Sequence, residues 1–110
     1  MSGIFTTKSL AAGYLNNTIQ TLYQAPSGNT GYVKSIIITS NNANPQQITL
    51  YKNISGNLYP WTQFTLNGNE FADVLEMDSL ALSANDSIQG STNLISVSAV
   101  AYTIHGVEER

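Results

Sequence analysis

The densest group of residues that could do chemistry is acidic. Glu70, Asp73, Glu76 and Asp78 fall within nine residues of one another, and hard cations such as Ca²⁺ bind where several oxygens converge. The spacing does not match an EF-hand loop. On a strand, Glu70 and Glu76 would share one face and Asp73 would lie on the other. We therefore expect a solvated acidic edge, which discourages aggregation through the sheet, and no metal site.

His105 is the only histidine in the chain, and cysteine is absent. A catalytic histidine needs a nucleophile to act on, and no sequence typical of a nucleophile elbow accompanies this one. We expect a strand-end histidine at the surface. Without a nucleophile, a metal-ligand set or a phosphate-binding loop, the sequence predicts a non-enzyme that needs no cofactor.

Aromatic residues form a third candidate site. Leu58-Tyr59-Pro60-Trp61 contains the only tryptophan, and aromatic rings with polar tips are enriched at protein contacts and can stack on sugars. Packing of the same rings in the core is an equally good interpretation. The burial of Trp61 decides between the two.

The composition indicates one soluble domain with an uncharged polar surface. The chain has 110 residues, a length that is enough for a single core. Of these, 41 are Asn, Gln, Ser or Thr and only 11 are charged. Its net charge is −3 and its four basic residues are scattered, which argues against nucleic acid as a partner. No apolar stretch is long enough for a membrane span, and Met1–Gly13 lacks the apolar region of a signal peptide.

The element expected to position everything else is Gly31–Ser40, the most β-prone run in the chain. Strict alternation puts Val33, Ser35, Ile37 and Thr39 on one face, and Tyr32, Lys34, Ile36 and Ile38 on the other. Both faces carry bulky apolar groups, as in a central strand. Its expected partner is the run Leu94–Ile104.

Turn signals divide the rest of the chain into short strands. Asn53–Asn57 is typical of a hairpin loop, and Asn67-Gly68-Asn69 is the clearest turn. Glu70–Met77 could be a helix by its apolar spacing, but its short length favours a strand. Gly106–Arg110 is expected to be a charged tail. The predicted strands are Thr18–Gln24, Gly31–Ser40, Gln47–Lys52, Leu58–Leu66, Glu70–Met77, Leu80–Leu82, Ser87–Gly90 and Leu94–His105.

About eight short strands with frequent turns predict an all-β antiparallel sandwich, which we expect to be jelly-roll-like. Residues 18–110 would form this domain. Residues 1–17 would form an N-terminal arm, because their apolar side chains follow no clear period but are too many for a freely solvated tail. The arm either packs on its own domain or reaches a neighbour.

Several segments taken together resemble small virion proteins of tailed bacteriophages. Leu22–Gly28 followed by Tyr32–Ile38 resembles their "LYTAPAG…VKSI" opening, and Leu82–Ile88 resembles their "L-x-A-G-D-x-I" segment. The ending Gly106–Glu109 is also similar, so the resemblance spans residues 22 to 109. Asn85 stands where the family often has Gly, and the turn can survive because Asn tolerates left-handed backbone geometry.

The resemblance implies a β-sandwich structural part of the virion, with no catalytic residues. It predicts a capsid decoration (cement) protein that binds major capsid protein on the outer shell, as a homo-oligomer, either a dimer or a trimer. A neck or tail adaptor or a fibre-associated protein is the first alternative, and a carbohydrate-binding module using Tyr59 and Trp61 is the second. The residues expected at protein contacts are Ile4, Phe5, Leu10, Tyr14, Leu15, Tyr59 and Trp61.

Overall fold

The computed structural model describes residues 8–41, 45–75, 80–93 and 100–109. These residues contain nine strands and no helix, so none of them belongs to a helix that could cross a membrane. The strands are β1 (Lys8–Tyr14), β2 (Gln20–Gln24), β3 (Thr30–Ser40), β4 (Gln46–Ile54), β5 (Asn57–Leu66), β6 (Phe71–Asp73), β7 (Leu80–Leu82), β8 (Ser87–Thr92) and β9 (Val100–Glu109).

The strands form two antiparallel sheets. Sheet A has the order β1-β9-β3, with β6 and β7 both paired to the far side of β3; sheet B has the order β2-β8-β4-β5. β6 and β7 lie end to end along β3 and act as one interrupted strand. The chain then resembles a long hairpin that has been rolled up. Its strand pairs are nested one inside the next, in the order β1–β9, β2–β8, β3–β6/β7 and β4–β5. The predicted jelly-roll sandwich of about eight strands is confirmed.

β3 is central in sheet A, as predicted, and its partner is β9, with Ser40 opposite Val100 and Thr30 opposite Glu109. The predicted division of its side chains between two faces is wrong. A bulge at Lys34 shifts the register between Val33 and Ser35, and an extra residue reverses the alternation beyond it.

As a result of the bulge, buried side chains come from both predicted faces. Val33 precedes the bulge and points into the core, and Ile36 and Ile38 follow it and also point inward; all three are fully buried. Ile37 and Thr39 face outward instead, which places them on the outer surface of sheet A.

The chain end differs from the prediction as well. Gly106–Glu109 is the last part of β9 and not a charged tail, because these residues pair with Thr30–Val33. Val100–His105 confirms the second half of the predicted last strand, whereas residues 94–99 lie outside the described part. Of the segment predicted as a strand at Glu70–Met77, Phe71–Asp73 is a strand, and Val74 and Leu75 form a bend.

The core lies between the sheets and takes side chains from both. Ile36, Ile38 and Ile104 of sheet A meet Ile48 and Leu50 of sheet B, and all five are fully buried. Each such side chain contributes roughly 1.5–3 kcal/mol through burial.

The described part of the predicted arm belongs to this sandwich. β1 pairs with β9 along six residue pairs, and Leu15 is 1% exposed in the core. Leu10 packs against the core from the bulge in β1. Residues 1–7 lie outside the described part.

Two turns depend on residues that can adopt positive φ. Ser55 (φ 54°) and Gly56 (φ 84°) form the two-residue turn between β4 and β5, the primed type that suits the twist of a hairpin. Asn85 has φ 73°, so the left-handed geometry expected at this position is present without glycine.

Candidate interaction surfaces

The residues predicted at protein contacts do not come together in one site. Tyr14 is 54% exposed, whereas Leu15 and Leu10 pack into the protein's own core. Ile4 and Phe5 lie outside the described residues. Among the described residues of this group in the N-terminal segment, Tyr14 is therefore the one that a partner could reach.

The aromatic pair in β5 separates into one exposed and one half-buried ring. Tyr59 is 51% exposed, while Trp61 packs against the core. The Lys52 ammonium nitrogen lies 4.7 Å from the centre of the Trp61 ring, a cation–π contact. Because the lysine occupies that face of the ring, Trp61 and Tyr59 do not form an open platform for a sugar.

The acidic residues that are described serve local backbone geometry. A Glu70 carboxylate oxygen accepts a 2.7 Å hydrogen bond from the amide of Asn67 and closes the turn before β6, and Asp73 accepts one of 3.3 Å from the amide of Leu75. Glu76 and Asp78 lie outside the described residues. Within the described part of the chain, no three His, Asp or Glu side chains are grouped as metal ligands, and His105 is half-buried on β9.

A buried tyrosine ties the two sheets together. Tyr23 of β2 crosses to sheet A and donates a 2.8 Å hydrogen bond to the Glu108 carboxylate. It fits because Gly31 lies beneath the ring: a methyl group at position 31 would stand 2.6 Å from the tyrosine oxygen. Burial, assisted by the hydrogen bond and the negative charge of Glu108, raises the pKa of Tyr23 far above its ordinary value. Burial also raises the pKa of Tyr102.

The outer face of sheet A carries an apolar surface that the sequence alone did not indicate. The register places Tyr14, Ala101, Thr39 and Phe71 side by side in one row across β1, β9, β3 and β6. Phe71 is 69% exposed. Two exposed aromatic rings thus flank small side chains, and the row below, Ala12, Thr103, Ile37 and Asp73, continues the same face.

The outer face of sheet B has a different character. Its outward side chains on β8, β4 and β5 are almost all uncharged and polar, and Gln63 donates a 3.2 Å hydrogen bond to the hydroxyl of Thr49. The members of this face include Gln47, Thr49, Gln63, Thr65, Gln89 and Ser91. Two exposed aromatic rings are therefore on the outer face of sheet A, in one row that also holds Ala101 and Thr39, whereas the outer face of sheet B is mainly uncharged and polar.

A second apolar group lies at the end of the β4–β5 hairpin. Ile54, Leu58 and Tyr59 are 40%, 43% and 51% exposed. Tyr59 pairs with Lys52, on the side of the sheet that faces the core, so its exposure means that sheet A does not cover this end of β5. The hairpin end is held in place by a 3.1 Å hydrogen bond from the amide of Ser55 to the Asp86 carboxylate. Leu58 pairs with Asn53 and lies on the opposite, outward side of the sheet. We call these three exposed side chains, which project from both sides of the hairpin end, the hairpin cluster.

The edges of the sheets are poorly suited to adding another strand. β1 and β2 each carry a register irregularity near their middle, and β5 has both Pro60 and a bulge at Trp61. The remaining edge is divided between β6 and β7. Bulges, proline and short strands are the usual ways to block pairing at an edge, so contacts are expected through faces and hairpin ends.

Comparison with protein-family models, with curated proteins and with solved structures found no match. The sequence resemblance to tailed-phage virion proteins therefore stays a prediction. The jelly-roll sandwich itself hosts many unrelated functions. A function for this chain must therefore be inferred from the side chains on its surface.

Proposed function

We propose that the protein is a capsid decoration protein of a tailed bacteriophage, which binds the outer surface of a shell of major capsid protein and stabilises it. The observation that carries the proposal is the hairpin cluster, an exposed apolar group of Ile54, Leu58 and Tyr59 on an anchored hairpin. Exposed apolar patches mark protein contacts, and the resemblance of residues 22–109 to virion proteins supplies the class of partner.

The protein would stabilise the shell mechanically. Each copy would bury apolar surface across a junction between capsid subunits, so opening that junction would also require the free energy needed to break this contact. A modest interface suffices, because the copies act together on one shell. An adaptor at the neck or tail would use the same surfaces in far fewer copies.

The experiment measures binding of the purified protein to undecorated shells of major capsid protein from the same phage, by co-sedimentation. Leu58→Ser combined with Tyr59→Ser removes most of the hairpin cluster without touching a buried side chain. We expect at least a tenfold loss of affinity, since aromatic anchors dominate such contacts.

Ile19→Ser is the matched control, because Ile19 is 41% exposed but lies before β2. It should bind shells like the wild type. No binding of the wild-type protein would overturn the proposal, and equal losses in the control and the double variant would overturn the role of the hairpin cluster.

A further inference from the structure

We propose that Asn67 is a site of spontaneous deamidation, at which the side-chain amide is converted to a carboxylate without an enzyme. Asn67 begins the turn of residues 67–70, which joins β5 in sheet B to β6 in sheet A. The inference does not rest on the proposed function, because it concerns the chemistry of the chain alone and its test contains no shell.

The residue that follows Asn67 is what distinguishes this asparagine from the others. Asparagine is among the residues that are chemically labile with heat and time. In deamidation, the backbone nitrogen of the next residue attacks the side-chain carbonyl carbon of asparagine, and a side chain on that next residue hinders the approach. Asn67 is followed by Gly68, and each of the other asparagines is followed by a residue with a side chain. The approach is therefore least hindered at Asn67.

The structure leaves both reacting groups free. Asn67 is exposed, and no described residue hydrogen-bonds to its side chain or accepts a hydrogen bond from the amide of Gly68. An amide within a strand ladder would have to break its hydrogen bond before it could attack. Gly68 lies beyond the end of β5, so its amide needs no such step.

Asn69 provides a comparison within the same turn. It is exposed as well, and it has a positive φ of 63°. The next amide, that of Glu70, donates a 3.2 Å hydrogen bond to the carbonyl of Asn67, and Glu70 has a side chain. Both differences slow the attack, so Asn69 should be much less reactive than Asn67.

The reaction needs only water as a co-reactant. The amide nitrogen of Gly68 loses its proton to the solvent and forms a bond to the side-chain carbonyl carbon of Asn67. The bond from that carbon to the side-chain nitrogen breaks, ammonia leaves, and a cyclic succinimide remains. Water then opens the ring at either carbonyl and gives aspartate or isoaspartate. The balance is one water consumed, with one carboxylate and one ammonium ion formed.

Glu70 connects this chemistry to the fold. Its carboxylate accepts a 2.7 Å hydrogen bond from the amide of Asn67, and its carbonyl accepts one of 2.9 Å from the amide of Ser40 in β3. Either product adds a negative charge close to the Glu70 carboxylate, which repels it. Isoaspartate also inserts a methylene group into the backbone of the turn. We therefore expect deamidation to weaken the turn that sets β6 beside β3.

The experiment incubates the purified, folded protein at neutral pH and physiological temperature and follows each asparagine by mass spectrometry of its peptides. Fragmentation that separates isoaspartate from aspartate identifies the products. We expect position 67 to be converted faster than every other asparagine, Asn69 included. The rate should rise from neutral to mildly alkaline pH, because the attacking nitrogen must lose its proton.

Gly68→Ala is the sharper test, because it restores a side chain to the attacking residue and leaves Asn67 in place. Gly68 is not among the described residues with positive φ, so alanine can adopt its backbone conformation. We expect conversion at position 67 to be at least about tenfold slower, a difference of about 1.4 kcal/mol in the barrier. After the same incubation, the melting temperature of the wild type should fall, while that of Gly68→Ala should stay constant.

Three outcomes would overturn the inference. Conversion at position 67 that is no faster than at Asn69, or equally fast in the wild type and Gly68→Ala, would exclude the site. A deamidated chain that melts like the fresh protein would exclude the weakening of the turn. Shell binding is not among these measurements, so failure of the proposed function would leave them unchanged.

Discussion

At the scale of single residues, the clearest feature is the contact of Tyr23, Gly31 and Glu108. A phenol from one sheet reaches a carboxylate on the other at 2.8 Å, and the lack of a side chain at Gly31 leaves room for the ring. This contact joins the sheets where β2 and the end of β9 meet. Its partner Glu108 belongs to the segment that the sequence suggests is a tail, so the sequence could not predict the pair.

The raised pKa of Tyr23 predicts sensitivity to alkali. The ordinary value is 10.0. Above that pH the unfolded chain loses the phenol proton while the folded chain keeps it, so the free energy of unfolding falls as pH rises. The stabilisation from Tyr23 is fully present below pH 10. Above that pH the free energy of unfolding falls by up to about 1.4 kcal/mol per pH unit for this one group.

Chemical denaturation between pH 8 and about 11 measures this effect. Tyr23→Phe should be less stable than the wild type by about 1–3 kcal/mol at pH 8, through loss of a hydrogen bond to a charged group, but should lose less stability above pH 10. Tyr59→Phe, on a half-exposed side chain, is the control and should follow the wild type. Equal slopes for Tyr23→Phe and the wild type would contradict the assignment.

At the scale of strands, much of the fold could be predicted. Turn residues such as those at Asn53–Asn57 and Asn67–Asn69 separate the strands, and the strong β propensity of Gly31–Ser40 identifies the central strand and its partner. The faces of β3 could not be predicted, because the bulge at Lys34 depends on pairing with β9 and leaves no mark in the local pattern. The aromatic row on the outer face of sheet A could not be predicted either. Tyr14 and Phe71 are far apart in sequence, and only the strand register shows that they share a row.

The structure also changes what is expected of the N-terminal segment. Deletion of residues 2–15 removes β1 and the fully buried Leu15, and leaves one side of β9 unpaired. Loss of a buried leucine alone costs about 2–5 kcal/mol. We therefore expect the melting temperature to fall by more than about 10 °C.

Deletion of residues 2–7 is the matched comparison, because it keeps β1. Thermal melts followed by circular dichroism should show it within a few degrees of the wild type, and the variant can then test shell binding by Ile4 and Phe5. A 2–15 deletion that melts like the 2–7 deletion would show that β1 does not support the sandwich.

At the scale of the whole molecule, the protein is a sandwich with two different outer faces and an apolar hairpin end. The outer face of sheet A carries two exposed aromatic rings, the outer face of sheet B is mainly uncharged and polar, and the edges of both sheets are interrupted.

The central proposal, that this protein coats a virion shell, is tested most directly by cryo-EM of virus particles purified from the source of this gene, with copies counted by quantitative mass spectrometry. We predict jelly-roll density on the outer surface, over junctions between capsid subunits, at on the order of hundreds of copies per particle. Density confined to a small ring at the neck or tail would contradict the decoration role. Absence of the chain from purified particles would contradict a virion role altogether.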